Sequence, residues 1–138
     1  MDLGIIHLID YATSRSDFDV ADFKTQRSTL YICINPTDID RLRPVMRFFY
    51  QHIVERLMTT AQNLGNGREN MGICLFMDEF CSIGKLGMFT SCMSYLRGYR
   101  IKLFLITSDI EQIEMIYGEH DAQGIISNCD SKIAFCIL

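Results

Sequence analysis

Two adjacent carboxylates, Asp78 and Glu79, follow an apolar run that begins at Ile73. Five apolar residues in succession are typical of a strand that is covered on both faces of a parallel sheet. In nucleotide-driven motors an apolar run of this kind is a Walker B strand, where the first carboxylate holds Mg²⁺ and the second polarises the attacking water. The sequence therefore predicts that Asp78 binds the metal ion and that Glu79 is the catalytic base.

The other half of such a site, a phosphate-binding loop, does not occur in this sequence. The pattern G-x-x-x-x-G-K-[ST] has no match between Met1 and Leu138. Mg²⁺ takes only one or two protein carboxylates and relies on phosphate oxygens for its remaining ligands. We therefore expect this chain alone to hold neither Mg²⁺ nor ATP tightly and to be inactive as an ATPase by itself.

The composition predicts one ordinary domain with a hydrophobic core, because 49% of the 138 residues are hydrophobic. The net charge of −4 argues against a broad basic surface that grips nucleic acid, since phosphate contacts need clustered Lys and Arg. No apolar stretch approaches the roughly 18 residues that would span a bilayer. We therefore expect any contact with DNA to be local or indirect, and no transmembrane segment in this chain.

The six cysteines form no C-x-x-C pair, and the three histidines are scattered along the chain. Cys33, Cys74 and Cys136 lie inside apolar runs that read as strands. Reduced thiols in a cytoplasmic protein explain this pattern better than disulfides do. The irregular spacing also predicts no structural zinc site.

Hydrophobic periodicity predicts the elements that must position the two carboxylates. Runs of β-branched and aromatic residues predict strands at 30–34, 73–77, 102–107 and 132–138. Apolar residues at three- and four-residue intervals predict helices at 39–63, 85–95, 110–117 and 121–128.

This alternation of strands and helices predicts an α/β fold. Crossover connections of this length make the sheet mostly parallel, with helices on both faces. Asp109 is placed to cap the helix at 110–117, and Gly118 is placed to end it. One domain would then span residues 1–138, with an irregular lead-in at 1–29 and the Walker B and later strands in 30–138.

Five short blocks add a resemblance to a known family. They are ATSRSDFD at 12–19, DIDRLRP at 38–44, DEF with a following Gly84 at 78–84, GY at 98–99, and IYGEH with Asn-Cys at 116–129. In this order they resemble the TraG/TraD family of coupling proteins of type IV secretion and conjugation, which are RecA-like ATPases anchored in the bacterial inner membrane. The resemblance covers nearly the whole chain.

The resemblance implies a partial RecA-like P-loop NTPase sheet. In that fold the phosphate-loop strand, absent from this chain, would lie between the predicted strands at 102–107 and 132–138. Members of the family assemble as hexamers, use Mg²⁺ and ATP, and pass DNA–protein or protein substrates to the other components of the secretion system. The resemblance also implies a location on the cytoplasmic side of the bacterial inner membrane.

Four further positions draw their roles from the resemblance. Ser108 aligns with a Gln that senses the nucleotide phosphate in the family, so Ser108 is expected to contribute to nucleotide binding through a water molecule. Arg97 and Arg100 are candidates for an arginine that reaches the nucleotide of a neighbouring subunit, although ordinary surface charges explain them more simply. Cys81 replaces the Pro that follows the acidic pair in the family, which removes a rigid turn.

Three hypotheses about function remain open from the sequence. The first is a truncated coupling-protein ATPase domain that uses Asp78 and Glu79. The second is a non-catalytic remnant or interaction module of the same family with no ATP turnover. The third is an unrelated carboxylate-metal enzyme such as a nuclease, for which Asp109 is the obvious additional ligand. His120, among surface charges at a helix start, is expected to have no catalytic role.

Overall fold

A computed structural model describes residues 13–67 and 70–135 of the chain. Within this part, helices and two parallel strands alternate along the sequence, so the predicted α/β class is confirmed. The expectations for the amino-terminal apolar segment and for the last three residues lie outside the described residues.

Strand β1 covers Ile73–Met77 and strand β2 covers Ile101–Leu105. The two strands pair in parallel, with Ile73 opposite Ile101 and the register unbroken to the end of both. The predicted ranges of these strands are therefore confirmed to within two residues. Because the strands are parallel, both carboxyl ends lie at one edge of the sheet and both amino ends at the other.

The helix predictions are confirmed except at one place. The predicted helix at 85–95 is broken into two short helices at Cys92. The hydroxyls of Thr90 and Ser91 both donate to the carbonyl of Gly87, at 2.9 Å, and such side-chain bonds compete with the helical backbone ladder. The α-helices are α1 Ile39–Leu64, α2 Gly87–Ser91, α3 Met93–Leu96, α4 Ile110–Tyr117 and α5 Glu119–Ser127, and 3-10 helices cover Val20–Lys24, Pro36–Asp38, Phe80–Ile83 and Arg97–Tyr99.

Two predicted strands do not form in the described part of the chain. The segment at 30–34 has no strand structure, and its Tyr31 is 83% exposed. Residues 132–135 are also not in a strand, and Phe135 is 90% exposed. The prediction at 30–34 was wrong, and so was the described part, 132–135, of the prediction at 132–138, because strand propensity is realised only when a neighbouring strand satisfies the backbone N–H and C=O groups. Neither segment has such a neighbour among the described residues.

The two faces of the sheet differ in burial. One face, which includes Leu75 and Leu103, packs into the core with Val54 and Leu57 of α1. On the opposite face Phe76 and Phe104 stack with their ring centroids 4.6 Å apart and are 67% and 50% exposed. The sequence predicted cover on both faces, and the described residues cover only one.

Hydrogen bonds from Lys24 hold part of the predicted lead-in against the segments that precede the two strands. The Lys24 side chain is fully buried, and its Nζ donates to the carbonyls of Tyr99 at 2.6 Å and Met71 at 3.2 Å. Burial lowers the pKa of Lys24 below the ordinary value for lysine, and the positive charge of Arg100 lowers it further. The 3-10 helix Val20–Lys24 is therefore held in place by a buried cation.

The lowered pKa of Lys24 predicts a pH-dependent stability. Between the folded-state pKa and the ordinary lysine value of about 10.4, the unfolded chain binds a proton that the folded chain has released. The contribution of Lys24 to the free energy of unfolding therefore rises with pH in this interval and is constant above it. Lys24→Met should remove this rise, as measured by denaturant unfolding of both proteins at several alkaline pH values. Parallel pH profiles for the two proteins would contradict the prediction.

None of the helices in the ranges 13–67 and 70–135 is both long enough and apolar enough to cross a membrane.

Candidate functional site

Asp78 and Glu79 form a tight turn at the carboxyl end of β1. Both side chains are exposed, and Glu79 has a φ of 47° in the left-handed region, which few non-glycine residues adopt. The turn is held by the neighbouring strand, because the N–H of Phe80 donates to the carbonyl of Ile106 at 3.1 Å. The N–H of Ile106 donates in turn to the carbonyl of Met77 at 3.0 Å. The backbone therefore presents two carboxylates to solvent at a defined point of the sheet edge.

Ser108 joins this turn through a side-chain hydrogen bond. Its Oγ donates to Oε1 of Glu79 at 3.0 Å, although the two residues are 29 positions apart in the sequence. The contact is possible because β1 and β2 are parallel neighbours, so that the segments after their carboxyl ends lie side by side. The structure thus brings Ser108 and Glu79 together, as a shared role in one site requires.

Phe80, the residue after the acidic turn, anchors the turn in the hydrophobic core. Phe80 directly follows Glu79, is fully buried, and packs edge-to-face against Phe89 with a centroid distance of 5.8 Å. The ring centroid of Tyr117 in α4 lies 6.1 Å from that of Phe80. Sequence reasoning recognised the acidic pair and missed this anchor, although an aromatic residue immediately after two carboxylates was a visible signal.

Cys81, two residues after Glu79, links the turn to the neighbouring segment. Its Sγ lies 3.5 Å from Oγ1 of Thr107, the residue before Ser108, so the turn after β1 also contacts the segment after β2. Burial raises the pKa of the Cys81 thiol, and the contact with Thr107 offsets part of this effect. Thr107 was not singled out from the sequence, because its contact depends on how the two strands pair.

Asp109 serves the fold as the predicted helix cap. Its Oδ1 accepts a hydrogen bond from the N–H of Glu111 at 3.0 Å, which satisfies a free donor at the start of α4. Across the residues that the structure describes, no three His, Cys, Asp or Glu side chains converge as a metal site. The nuclease hypothesis therefore has no ligand set in the described part of the chain.

The arrangement does fit a metal ion that arrives with a nucleotide. Mg²⁺ bound to a nucleotide keeps several water and phosphate oxygens and needs only one or two carboxylates from the protein. Asp78 and Glu79 are exposed carboxylates in an open turn, so they are accessible to such a complex. The turn is suited to supply one or two oxygen ligands to a Mg²⁺ ion that phosphate groups also coordinate. By itself it does not surround a metal ion.

Arg97 and Arg100 lie at the opposite edge of the sheet. They immediately precede β2, so about 16 Å of strand separates them from the turn that carries Asp78. Arg100 donates from its guanidinium to the carbonyl of Asn70 at 2.8 Å, and Arg97 lies 3.9 Å from the carboxylate of Asp130. Within one chain both arginines are thus remote from the acidic turn. Their role in trans therefore stays a prediction.

Comparison with known proteins agrees with the five sequence blocks. A family described as "Type IV secretory system Conjugative DNA transfer" matches residues 5–138. Protein VirD4 of Agrobacterium fabrum is 31% identical over 126 residues, which are 91% of this chain and 18% of VirD4. A conjugal transfer protein TraG of Escherichia coli is 36% identical over 131 residues, which cover 88% of this chain and 20% of TraG. The chain spans about a fifth of the length of these relatives. Because the family match extends over almost every residue, the chain is a member of the type IV secretory system conjugative DNA transfer family.

Proposed function

We propose that this chain supplies the acidic half of an ATP-hydrolysing site in a coupling protein of type IV secretion or conjugation. In this proposal Asp78 binds the Mg²⁺ of Mg–ATP, Glu79 accepts a proton from the attacking water, and Ser108 positions Glu79. The hydrogen bond from Ser108 to Glu79 supports the proposal most directly, since it joins the ends of two parallel strands at the acidic turn. Family membership supports the wider role in transfer.

The geometry suits Glu79 to the role of general base. A base must lie within about 2.6–3.2 Å of the water that it deprotonates, and its side chain must point consistently toward that water. The Ser108 hydroxyl holds one carboxylate oxygen of Glu79, which leaves the other oxygen available to a water molecule. When bound, Mg–ATP would supply the phosphoanhydride bond that is cleaved and the cation that balances its charge.

In this proposal Ser108 stands where the resemblance implies a glutamine that senses the phosphate. Because a serine side chain is shorter than a glutamine side chain, Ser108 is expected to reach the phosphate through a water molecule and to act on the attacking water by positioning Glu79. The same proposal takes the chain to work in a hexamer with the other secretion components, on the cytoplasmic side of the bacterial inner membrane. It acts there on DNA–protein substrates indirectly. Arg97 or Arg100 is the candidate for an arginine that acts on the nucleotide of a neighbouring subunit. The proposal includes no structural zinc site.

A non-catalytic interaction module is the second candidate. It is favoured by position 108, where this chain has Ser108 and the resemblance implies a glutamine that senses the phosphate. The exposed stacked pair of Phe76 and Phe104 also offers an apolar surface that a partner protein could cover. In this role the acidic turn would be retained without turnover.

Fusion to a phosphate-loop segment distinguishes the two candidates. A phosphate-loop segment of the kind that the resemblance implies would be joined to this chain, and Mg²⁺-dependent ATP binding and hydrolysis would be measured. We expect the fusion to bind and hydrolyse ATP and the 138-residue chain alone to do neither. The control replaces the lysine of the added loop, which should abolish both signals. A folded fusion that binds ATP without hydrolysing it would favour the non-catalytic module.

A further inference from the structure

A cleft with a volume of about 440 Å³ lies at the amino ends of β1 and β2. Three of its seven lining residues are cations, namely Arg97, Arg100 and Lys102, and none is a carboxylate. Cys74 and its cross-strand neighbour Lys102 are both exposed and form part of the lining. The cleft is at the opposite edge of the sheet from Asp78 and Glu79, so it is separate from the acidic turn.

The positive charges of this cleft are poorly balanced by the rest of the described chain. Arg97 and Asp130 are 3.9 Å apart with side chains 87% and 84% exposed, and exposed pairs of this kind contribute little. Arg100 contacts the uncharged carbonyl of Asn70, and no carboxylate is paired with Lys102 among residues 13–67 and 70–135.

A second observation about charge at this edge of the sheet comes from Lys24, which bonds to the carbonyls of Met71 and Tyr99. Lys24 is fully buried there, and the charge of Arg100 adds to the effect of burial in lowering the Lys24 pKa. Four cations are therefore gathered at one edge of a chain whose net charge is −4. A bound anion would offset the positive charge that Arg100 places near Lys24.

We propose that this cleft binds a phosphate-bearing anion of about the size of pyrophosphate. The planar guanidinium groups of Arg97 and Arg100 can each donate two parallel hydrogen bonds to phosphate oxygens, and Lys102 adds a mobile ammonium. The anion is either a free phosphate compound or a short stretch of a nucleic-acid backbone, and both present the same oxygens. This inference does not depend on ATP hydrolysis at the acidic turn.

Alkylation of Cys74 provides a test that reports the location of binding. The 138-residue chain would be treated with a neutral maleimide, without divalent cations, in the presence of inorganic pyrophosphate or of a single-stranded oligothymidylate. Peptide mass spectrometry would follow Cys74 and Cys33, which are both exposed. We expect pyrophosphate to slow the alkylation of Cys74 several-fold and to leave that of Cys33 unchanged. Protection by the oligonucleotide as well would identify a nucleic-acid backbone as the source of phosphate, and its absence would identify a free phosphate compound.

Charge variants make the test quantitative. Lys102→Gln and Arg97→Gln should each raise the dissociation constant for pyrophosphate by about fivefold, as expected for the loss of one nearby charge. Arg15→Gln is the matched control, because it removes the same charge from a side chain that is 82% exposed and outside the cleft.

Asp130→Asn should tighten binding slightly, because it removes a negative charge that lies 3.9 Å from Arg97 and would repel the anion. A gain of affinity of this kind cannot result from unfolding. Equal alkylation of Cys74 with and without pyrophosphate would overturn the proposal. So would an effect of Arg15→Gln as large as that of Lys102→Gln.

Discussion

Glu79→Gln is expected to lower kcat for ATP hydrolysis by about 10²–10⁴-fold in the fusion that carries a phosphate loop, because a general base contributes about this much. The glutamine side chain keeps the shape of glutamate and can still accept the hydrogen bond from Ser108 through its carbonyl oxygen. It cannot take a proton from water. The affinity for Mg–ATP should change little, since the proposal assigns the metal ion to Asp78.

The measurement is a pair of values for each protein, kcat from steady-state hydrolysis and the dissociation constant of Mg–ATP. Glu55→Gln is the matched control, because Glu55 is exposed on α1 and accepts a hydrogen bond from Gln51, remote from the turn in sequence and role. Both values should be unchanged in this control. An unaltered kcat in Glu79→Gln would show that Glu79 is not the base, and a loss of nucleotide binding would place Glu79 among the metal ligands instead.

Phe80→Ala is expected to lower the free energy of unfolding by about 3–5 kcal/mol, the usual cost of truncating a buried phenylalanine. Phe80 is fully buried beside Phe89 and Tyr117, so its removal leaves a cavity that these rings cannot fill without moving. The loss is large beside the ~5–15 kcal/mol by which whole domains are stable. Because Phe80 directly follows Glu79, the acidic turn should lose its order together with the core.

Denaturant unfolding followed by circular dichroism measures this change. Phe76→Ala is the control, since it deletes the same side chain from a residue that is 67% exposed and stacked on Phe104. Its cost should stay below about 1.5 kcal/mol, the upper range for an aromatic pair. Phe80→Leu should retain part of the packing and remain folded if the alanine variant does not. Equal costs for Phe80→Ala and Phe76→Ala would contradict the described packing.

The elements that sequence periodicity predicted well are those whose structure depends on near neighbours. The helix α1 was predicted to within one residue, and the cap of α4 by Asp109 was predicted from its position alone. Helical hydrogen bonds join residues four apart, so the pattern within one segment contains the necessary information. The break at Cys92 was missed because the competing hydroxyls of Thr90 and Ser91 leave the apolar pattern intact.

The strand predictions show the opposite dependence. The segments at 30–34 and 132–135 have the composition of strands, yet neither is one in the described structure. A strand is completed by hydrogen bonds to another part of the chain, and its own residues do not specify whether that partner is present. The same reasoning explains the exposed face of Phe76 and Phe104, whose apolar character predicted a cover that the described residues do not provide.

By itself the sequence determined the α/β alternation, the acidic pair at the end of an apolar run, and the blocks that resemble the coupling proteins. These properties reside in residues that are close together along the chain. Only the tertiary structure decided that Ser108 bonds to Glu79 and that Arg97, Arg100 and Lys102 gather with Cys74 at the other edge. The reason is physical, since contacts between side chains on separate strands depend on the direction and register of pairing. That register is set by packing across the whole core.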